Sequence, residues 1–165
     1  MSAQADSEKP LDFSINPRRR CDIRQVGNEN NTVLVFDDFL TNPGTFVEFA
    51  CAEPCFEPIS TDLYPGVRKQ LPPAYGANLV NAVAPVIRDI FSVPLFQIAR
   101  PAFSALSLTT LAAETTLPIQ RIPHFDTSSP DQFAVVVYLS KSDFGGTSLY
   151  RHRSTGFETV DPARS

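Results

Sequence analysis

The sequence predicts an α+β domain in which helices pack on one side of a β-sheet or of a double-sheet roll. Helical patterns occupy the first half of the chain, and short strand-like apolar runs separated by loops follow from Leu95 onward. This order is typical of folds that segregate helices from an antiparallel sheet. With 165 residues, the chain is long enough for one such domain and too short for two comfortable ones.

The first predicted element is a strand that follows a polar segment. Residues 1–31 lack sustained periodicity and contain Pro10 and Pro17, which predicts an extended or poorly ordered lead-in. The run Thr32–Phe36 is short, β-branched and apolar, which favours a buried strand. A single domain is therefore expected over residues 32–165.

Two helices are predicted next. Thr41 or Asn42 can cap the first helix, Pro43 suits its first turn, and Phe46 and Phe49 fall on one face. The second lies between residues 74 and 91, where apolar residues recur at helical spacing. Since proline removes a backbone donor, the proline at position 85 should kink or restart this helix, which predicts one broken helix.

Five strands are predicted in the second half of the chain. They are the runs LFQIA (95–99), SALSLTTL (104–111), IQRIPHFD (119–126), FAVVVYLS (133–140) and TSLYRHR (147–153). Each is short and bounded by Pro, Ser, Asp or Gly, as strands of an antiparallel sheet are.

Composition narrows the function classes. A net charge of -4 gives no basic face for nucleic acid, and no apolar run approaches the ~18 residues of a membrane helix. The first ten residues carry no export signal, and an odd count of three cysteines indicates reduced thiols. We therefore expect a cytoplasmic protein with no nucleic-acid or membrane partner, acting on an unidentified small-molecule or peptide substrate.

The triplet His124-Phe125-Asp126 is the most informative chemical motif. On an extended segment His124 and Asp126 point the same way, and Phe125 points opposite, into a core. With a second histidine from another strand, they would form a 2-His-1-carboxylate facial triad for iron(II). Short motifs also arise by chance. The alternative is that His124 caps a loop and Asp126 begins an Asx-turn.

Longer motifs resemble a known superfamily. TVLVFDDFL (32–40), PHFD (123–126), FAVVVYLS and GGTSLYRHRSTGFE (145–158) follow one another in the order used by prolyl-hydroxylase-like 2-oxoglutarate dioxygenases. More narrowly, QRIPHFD, YPGVR and GGT-x-x-YRHR-x-TGFE resemble an uncharacterised bacterial family assigned to that superfamily. The resemblance implies a double-stranded β-helix (jelly-roll, cupin-like) core with N-terminal helices on one side, binding Fe(II) and the co-substrate 2-oxoglutarate.

The resemblance also implies an incomplete site. In this superfamily the second histidine lies several tens of residues after the H-x-D, with a basic anchor for 2-oxoglutarate one strand later. Only 39 residues follow Asp126, so the chain is expected to be a C-terminally truncated, N-terminal part of such a domain. His152 is the one later histidine. If Thr147–Arg153 is a strand, His152 shares a face with Tyr150 and is a candidate third ligand; the alternative is a polar strand residue between two arginines.

Four further residues are candidates for binding the co-substrate or lining its pocket: Arg121, Tyr138, Tyr150 and Arg151. Arg121 approaches the ligands from two residues before Pro123, which suits a supporting role. Tyr138 can instead belong to the core, and Arg151 can instead form an ion pair.

Three functions follow from these motifs. The first is hydroxylase-type C–H oxidation by an Fe(II)/2-oxoglutarate-dependent dioxygenase. The second is a non-catalytic jelly-roll binding or structural module with an incomplete metal site, since fold alone does not establish function. The third is a hydrolase or cupin-like isomerase that uses His124, Asp126 and His152 around zinc or manganese.

Overall fold

The computed structural model describes residues 11–59, 63–140 and 144–165. Its elements, in chain order, are β1 (Arg20–Val26), β2 (Asn31–Asp37), α1 (Pro43–Cys51), β3 (Gly66–Gln70), α2 (Pro73–Phe91), β4 (Ala105–Thr109) and a 3-10 helix (Pro118–Arg121). Strands and helices are therefore interleaved, and the helices do not precede the strands as predicted.

The first sheet is the antiparallel hairpin of β1 and β2, in which Arg20 lies opposite Asp37 and Val26 opposite Asn31. Residues 27–30 close it, and Gly27 takes a φ of +74°, which glycine adopts at little cost. β1 lies within the segment predicted as a lead-in. Almost all of its side chains are exposed, so the sequence has no apolar periodicity there that would predict a strand. The strand is defined by its hydrogen bonds to β2.

The helix α1 confirms the first helical prediction. The Asn42 side chain caps it by accepting a hydrogen bond of 3.1 Å from the backbone N–H of Gly44, and Pro43 occupies the first turn. Phe46 turns inward and is only 2% exposed.

The helix α2 continues through Pro85, so the predicted break is wrong. Because proline disturbs the carbonyls of the turn before it, those groups need other partners. The Arg19 guanidinium donates to the Ala82 carbonyl in that turn. Among the described residues, no helix has both the length and the apolar character that crossing a membrane requires.

The second sheet pairs β3 with β4 antiparallel, with Gly66 opposite Thr109 and Gln70 opposite Ala105. The strands approach so closely that a Cβ at Gly66 would lie 2.1 Å from the Leu108 carbonyl oxygen, so glycine is required there. β4 confirms a strand within the run SALSLTTL.

The buried core lies among α1, α2, β4 and the segments beside them. Its members are Phe13, Phe39, Leu40, Phe46, Leu71, Tyr75, Val83 and Leu106. The Phe46 ring meets Phe13 and Tyr75 edge-to-face at centroid distances of 5.2 and 5.1 Å. Val137 and Leu139 pack against this core from the second half of the chain.

The predicted double-stranded β-helix is wrong. The described residues form two sheets of two strands each, and within 95–99, 119–126, 133–140 and 147–153 they form no strand. A strand exists only where a neighbour supplies hydrogen bonds. Residues 133–140 make no backbone–backbone hydrogen bond within the described part of the chain, although their alternation is strand-like.

Candidate metal site

His124 and Asp126 lie side by side in the loop that follows the 3-10 helix. The Nε2 atom of His124 is 3.8 Å from the Oδ1 atom of Asp126, and the two side chains are 76% and 72% exposed. Histidine and carboxylate ligands lie about 2.0–2.2 Å from an ion such as zinc, so two of them on opposite sides of one ion are at most about 4.3 Å apart, and two neighbouring ligands of a facial triad are about 3 Å apart. The observed separation lies between these distances, so the two side chains would have to close slightly to share one cation as facial ligands.

The segment that carries the pair is not a strand. Phe125, predicted to point into a core, is 55% exposed. The Nδ1 atom of His124 lies 3.2 Å from the carbonyl oxygen of Ile122, two residues earlier. The two candidate ligands are therefore neighbours through a local loop conformation and not through a sheet.

His152 belongs to a separate turn. Its backbone N–H donates to the Phe157 carbonyl and its own carbonyl accepts from Gly156, each at 2.8 Å. Its Nδ1 atom lies 2.8 Å from the Thr155 hydroxyl. Among the described residues, no three His, Cys, Asp or Glu side chains gather where they could hold a metal ion. The structure therefore does not bring His152 to the H-x-D pair.

The donor set fits a facial triad in part. An imidazole nitrogen and a carboxylate oxygen are two of the three ligands that the triad uses. Within residues 11–59, 63–140 and 144–165, no third such side chain joins them.

The four candidate co-substrate residues are dispersed. Arg121 ends the 3-10 helix. The Tyr138 hydroxyl donates to Thr147 at 2.6 Å, and Tyr138 is 59% exposed, which overturns its alternative assignment to the core. Tyr150 is 63% exposed. Arg151 donates through Nε to Glu158 at 2.7 Å, as its ion-pair alternative predicts.

Neither of two cavities along α2 adjoins the pair. Two open cavities of about 260 and 320 Å³ lie along α2, and neither is lined by His124 or Asp126. A substrate pocket at the pair would therefore have to be formed by residues other than those that line these two cavities.

A second polar cluster, which we call the carboxylate clasp, consists of Glu29, Glu158, Arg151 and Arg164. The Glu158 carboxylate accepts from the backbone N–H of Glu29 at 2.9 Å and from Arg151. In return, the Glu29 carboxylate accepts from the backbone N–H of Thr159 at 3.0 Å and from Arg164 at 2.8 Å. The clasp joins the turn of the β1–β2 hairpin to the segment after His152.

Hydrogen bonding lowers the pKa of both clasp carboxyls. Backbone N–H donation at Glu29 and Asn28, followed by the Arg151 side chain, lowers the pKa of Glu158 to about 2. Burial raises the pKa of Glu29, but hydrogen bonds from Thr159 and Arg164 outweigh it and hold this pKa below its ordinary value. Both groups are therefore carboxylates at neutral pH.

The sequence gives no signal for the clasp, because 129 residues separate Glu29 from Glu158. One local sign is present in Gly27, where a Cβ would lie 2.0 Å from Oε2 of Glu158. Glycine before an Asn-Glu-Asn turn is common for other reasons, so it does not identify the distant partner.

Comparison with known proteins gives one match. The model of a family described as "Family of unknown function (DUF6445)" matches residues 17–165. No curated protein and no solved structure matches the chain. The matched range includes β1, the H-x-D pair, His152 and the clasp.

Proposed function

The chain belongs to the DUF6445 family of unknown function, and on that premise we propose that it binds iron(II) through His124 and Asp126 and serves 2-oxoglutarate-dependent oxidation. The observation that carries the proposal is the 3.8 Å separation of Nε2 and Oδ1 on two exposed side chains. The order of the motifs PHFD, FAVVVYLS and GGTSLYRHRSTGFE, which resembles that of dioxygenases, supports it. The proposal does not depend on a jelly-roll fold.

The roles of the chain's own residues are limited and specific. His124 offers a neutral nitrogen, and Asp126 offers a negative oxygen that offsets part of the charge of a divalent ion. Bound iron(II) would couple the oxidative decarboxylation of 2-oxoglutarate to the oxidation of a substrate C–H bond. Because both side chains face solvent, a substrate reaches the pair without the opening of a buried cavity.

Metal titration tests the first half of the proposal. Anaerobic calorimetry with iron(II) should give one site per chain, lost in His124→Ala and in Asp126→Ala. His152→Ala is the matched control, because it removes the chain's other histidine and should leave binding unchanged. Absence of binding, or equal loss in the two histidine variants, would contradict the assignment.

Turnover tests the second half. With iron(II), oxygen and 2-oxoglutarate, the protein should form succinate, and His124→Ala should abolish the reaction. Succinate formation that is unaffected by His124→Ala would show that another site is responsible.

A non-catalytic binding module is the second candidate function. It is favoured by the lack of a third ligand side chain beside the pair among the described residues. The two experiments separate the candidates, since stoichiometric iron binding without succinate formation indicates a metal-binding module. If the protein shows neither iron binding nor succinate formation, the module is inert.

The proposed compartment is the cytoplasm. Cys21, Cys51 and Cys55 are all exposed free thiols. Such thiols persist where the surroundings are reducing, and they pair or oxidise in secreted proteins. Mass spectrometry of thiols alkylated in intact cells, with all three recovered reduced, would support this compartment.

A further inference from the structure

The histidine of the H-x-D pair has a preset orientation. Its Nδ1 atom lies 3.2 Å from the Ile122 carbonyl oxygen, while Nε2 is the ring atom nearest Asp126. A carbonyl accepts hydrogen bonds and cannot donate them, so the contact requires the proton to be on Nδ1. A neutral ring then keeps its lone pair on Nε2, beside the carboxylate.

The spacing to Asp126 leaves the Ile122 carbonyl as the contact that selects the tautomer. An N–H···O hydrogen bond is about 2.7–3.2 Å long. The 3.8 Å separation of Nε2 from Oδ1 is longer, so Nε2 does not donate to the carboxylate. The contact of Nδ1 with the Ile122 carbonyl therefore favours the Nδ1–H tautomer, whereas a histidine free in water favours the Nε2–H form.

Pro123 fixes the carbonyl that makes this contact. A residue before proline is restricted to extended backbone, and Ile122 has a φ of -79° and a ψ of 129°. The proline ring fixes the next φ near about -65°. The torsions on both sides of the Ile122–Pro123 peptide are thus confined, and this peptide carries the accepting oxygen.

We propose that Pro123 is a positioning residue that holds His124 as its Nδ1–H tautomer through the Ile122 carbonyl, which presents Nε2 as the metal-binding atom. The inference rests on the proposed function of the pair and names the atom that binds. A hydrogen bond from the second ring nitrogen to a carbonyl is a common way to orient a metal-binding histidine, and its loss typically weakens metal affinity about 10- to 100-fold.

The tautomer is measurable without metal. Nitrogen-15 NMR of the metal-free protein at mildly alkaline pH distinguishes the two ring forms, and His152→Ala assigns the His124 signals. The intact protein should show His124 mainly as Nδ1–H. Pro123→Ala should shift it toward Nε2–H and weaken iron(II) binding about tenfold. The matched control is Pro130→Ala, in the loop after the pair, which should change neither quantity.

The outcomes separate this inference from the proposed function. Nε2–H as the main form in the intact protein, or an unchanged tautomer in Pro123→Ala, overturns the positioning role. A correct tautomer in a protein that binds no iron(II) leaves the positioning of the ring established and overturns its metal-binding purpose. Circular dichroism of Pro123→Ala checks that the fold is retained.

Discussion

The two halves of the chain differ in whether their apolar side chains form a buried core. Every member of the buried apolar core lies between Phe13 and Leu106, and both α-helices and all four strands seen in the described residues end by Thr109. Beyond it, Phe144 is 81% exposed and Leu149 is 69% exposed, and in the connection from α2 to β4 Leu95 and Phe96 are 87% and 83% exposed. Apolar content is therefore not sufficient for a core, because burial requires a second surface to pack against.

The candidate site lies in the half that is little buried. His124 and Asp126 hold their arrangement through local backbone, whereas Phe46 holds its place through contacts with two rings, those of Phe13 and Tyr75. The side chains of the pair are open to an ion from solvent, whereas a ring packed in the core is not. The difference between the halves yields three predictions, in order of decreasing effect.

The largest effect is expected in the core. Phe46→Ala should lower the free energy of unfolding by about 3–5 kcal/mol, because a large ring leaves a cavity that its neighbours only partly fill. The same truncation at the exposed ring, Phe144→Ala, should change it by less than about 0.5 kcal/mol. Urea unfolding followed by circular dichroism measures both. Equal losses would show that the second half is packed as tightly as the first.

The second-largest effect on stability is expected from a buried charge in the first half. Lys69 is 4% exposed, and its ammonium donates to the carbonyls of Phe49 and Ala52 at the end of α1. Lys69→Met keeps the stem but leaves both carbonyls without this donor, which should cost about 1–3 kcal/mol in urea unfolding. The control Arg24→Met removes only an exposed ion pair and should be nearly neutral. An unchanged midpoint for Lys69→Met would mean that water replaces the ammonium.

The smallest and most local effect is expected at the clasp. Glu158→Gln removes a carboxylate that accepts from the backbone N–H of Glu29. Amide hydrogen exchange at residues 28, 29 and 159 should accelerate, with little change in the core. Glu114→Gln, at an exposed position outside the clasp, is the matched control. Unchanged exchange at residue 29 would contradict the role of Glu158.

The pH dependence of the clasp has a defined sign. The pKa of Glu158 is about 2 in the folded chain against an ordinary value of 4.5. Its contribution to stability is present above pH 4.5 and disappears as the pH falls toward 2. The protection factor of the residue 29 amide, which is its exchange rate relative to an unstructured peptide at the same pH, should fall across that window in the intact protein. Glu158→Gln should remove the part of this fall that is due to the Glu158 carboxylate.

Local elements were predictable from the sequence, and long-range ones were not. The cap at Asn42 and the β-branched run Thr32–Phe36 predict α1 and β2 because their signals lie within a few residues. The alternation in FAVVVYLS is compatible with a β-strand, but a strand also needs a neighbouring strand to supply hydrogen bonds, and the pattern does not identify that neighbour. The strands predicted from most of these runs are therefore absent from the described residues, and the jelly roll that the resemblance implied is wrong.

The candidate site shows the same division. The prediction that His124 and Asp126 point the same way assumed an extended strand, and the two side chains are neighbours in a loop instead. The position of His152 depends on a turn closed by Thr155 and Phe157, which a strand-based prediction did not include. The reciprocal hydrogen bonds of the clasp join residues too distant for any sequence pattern to connect.

The carboxylate clasp also bears on how the chain reaches its folded state. It closes a loop between residues 29 and 158, whereas the adjacent β1–β2 hairpin closes over only a few residues. Loop-closure entropy grows slowly, by about 0.6 kcal/mol for each doubling of length. A few residues inserted between β4 and His152 therefore add little to the cost of closing the clasp. Distant contacts are nevertheless slow to find, so we expect the hairpin to form before the clasp, with its turn then supplying the backbone N–H groups that Glu158 binds.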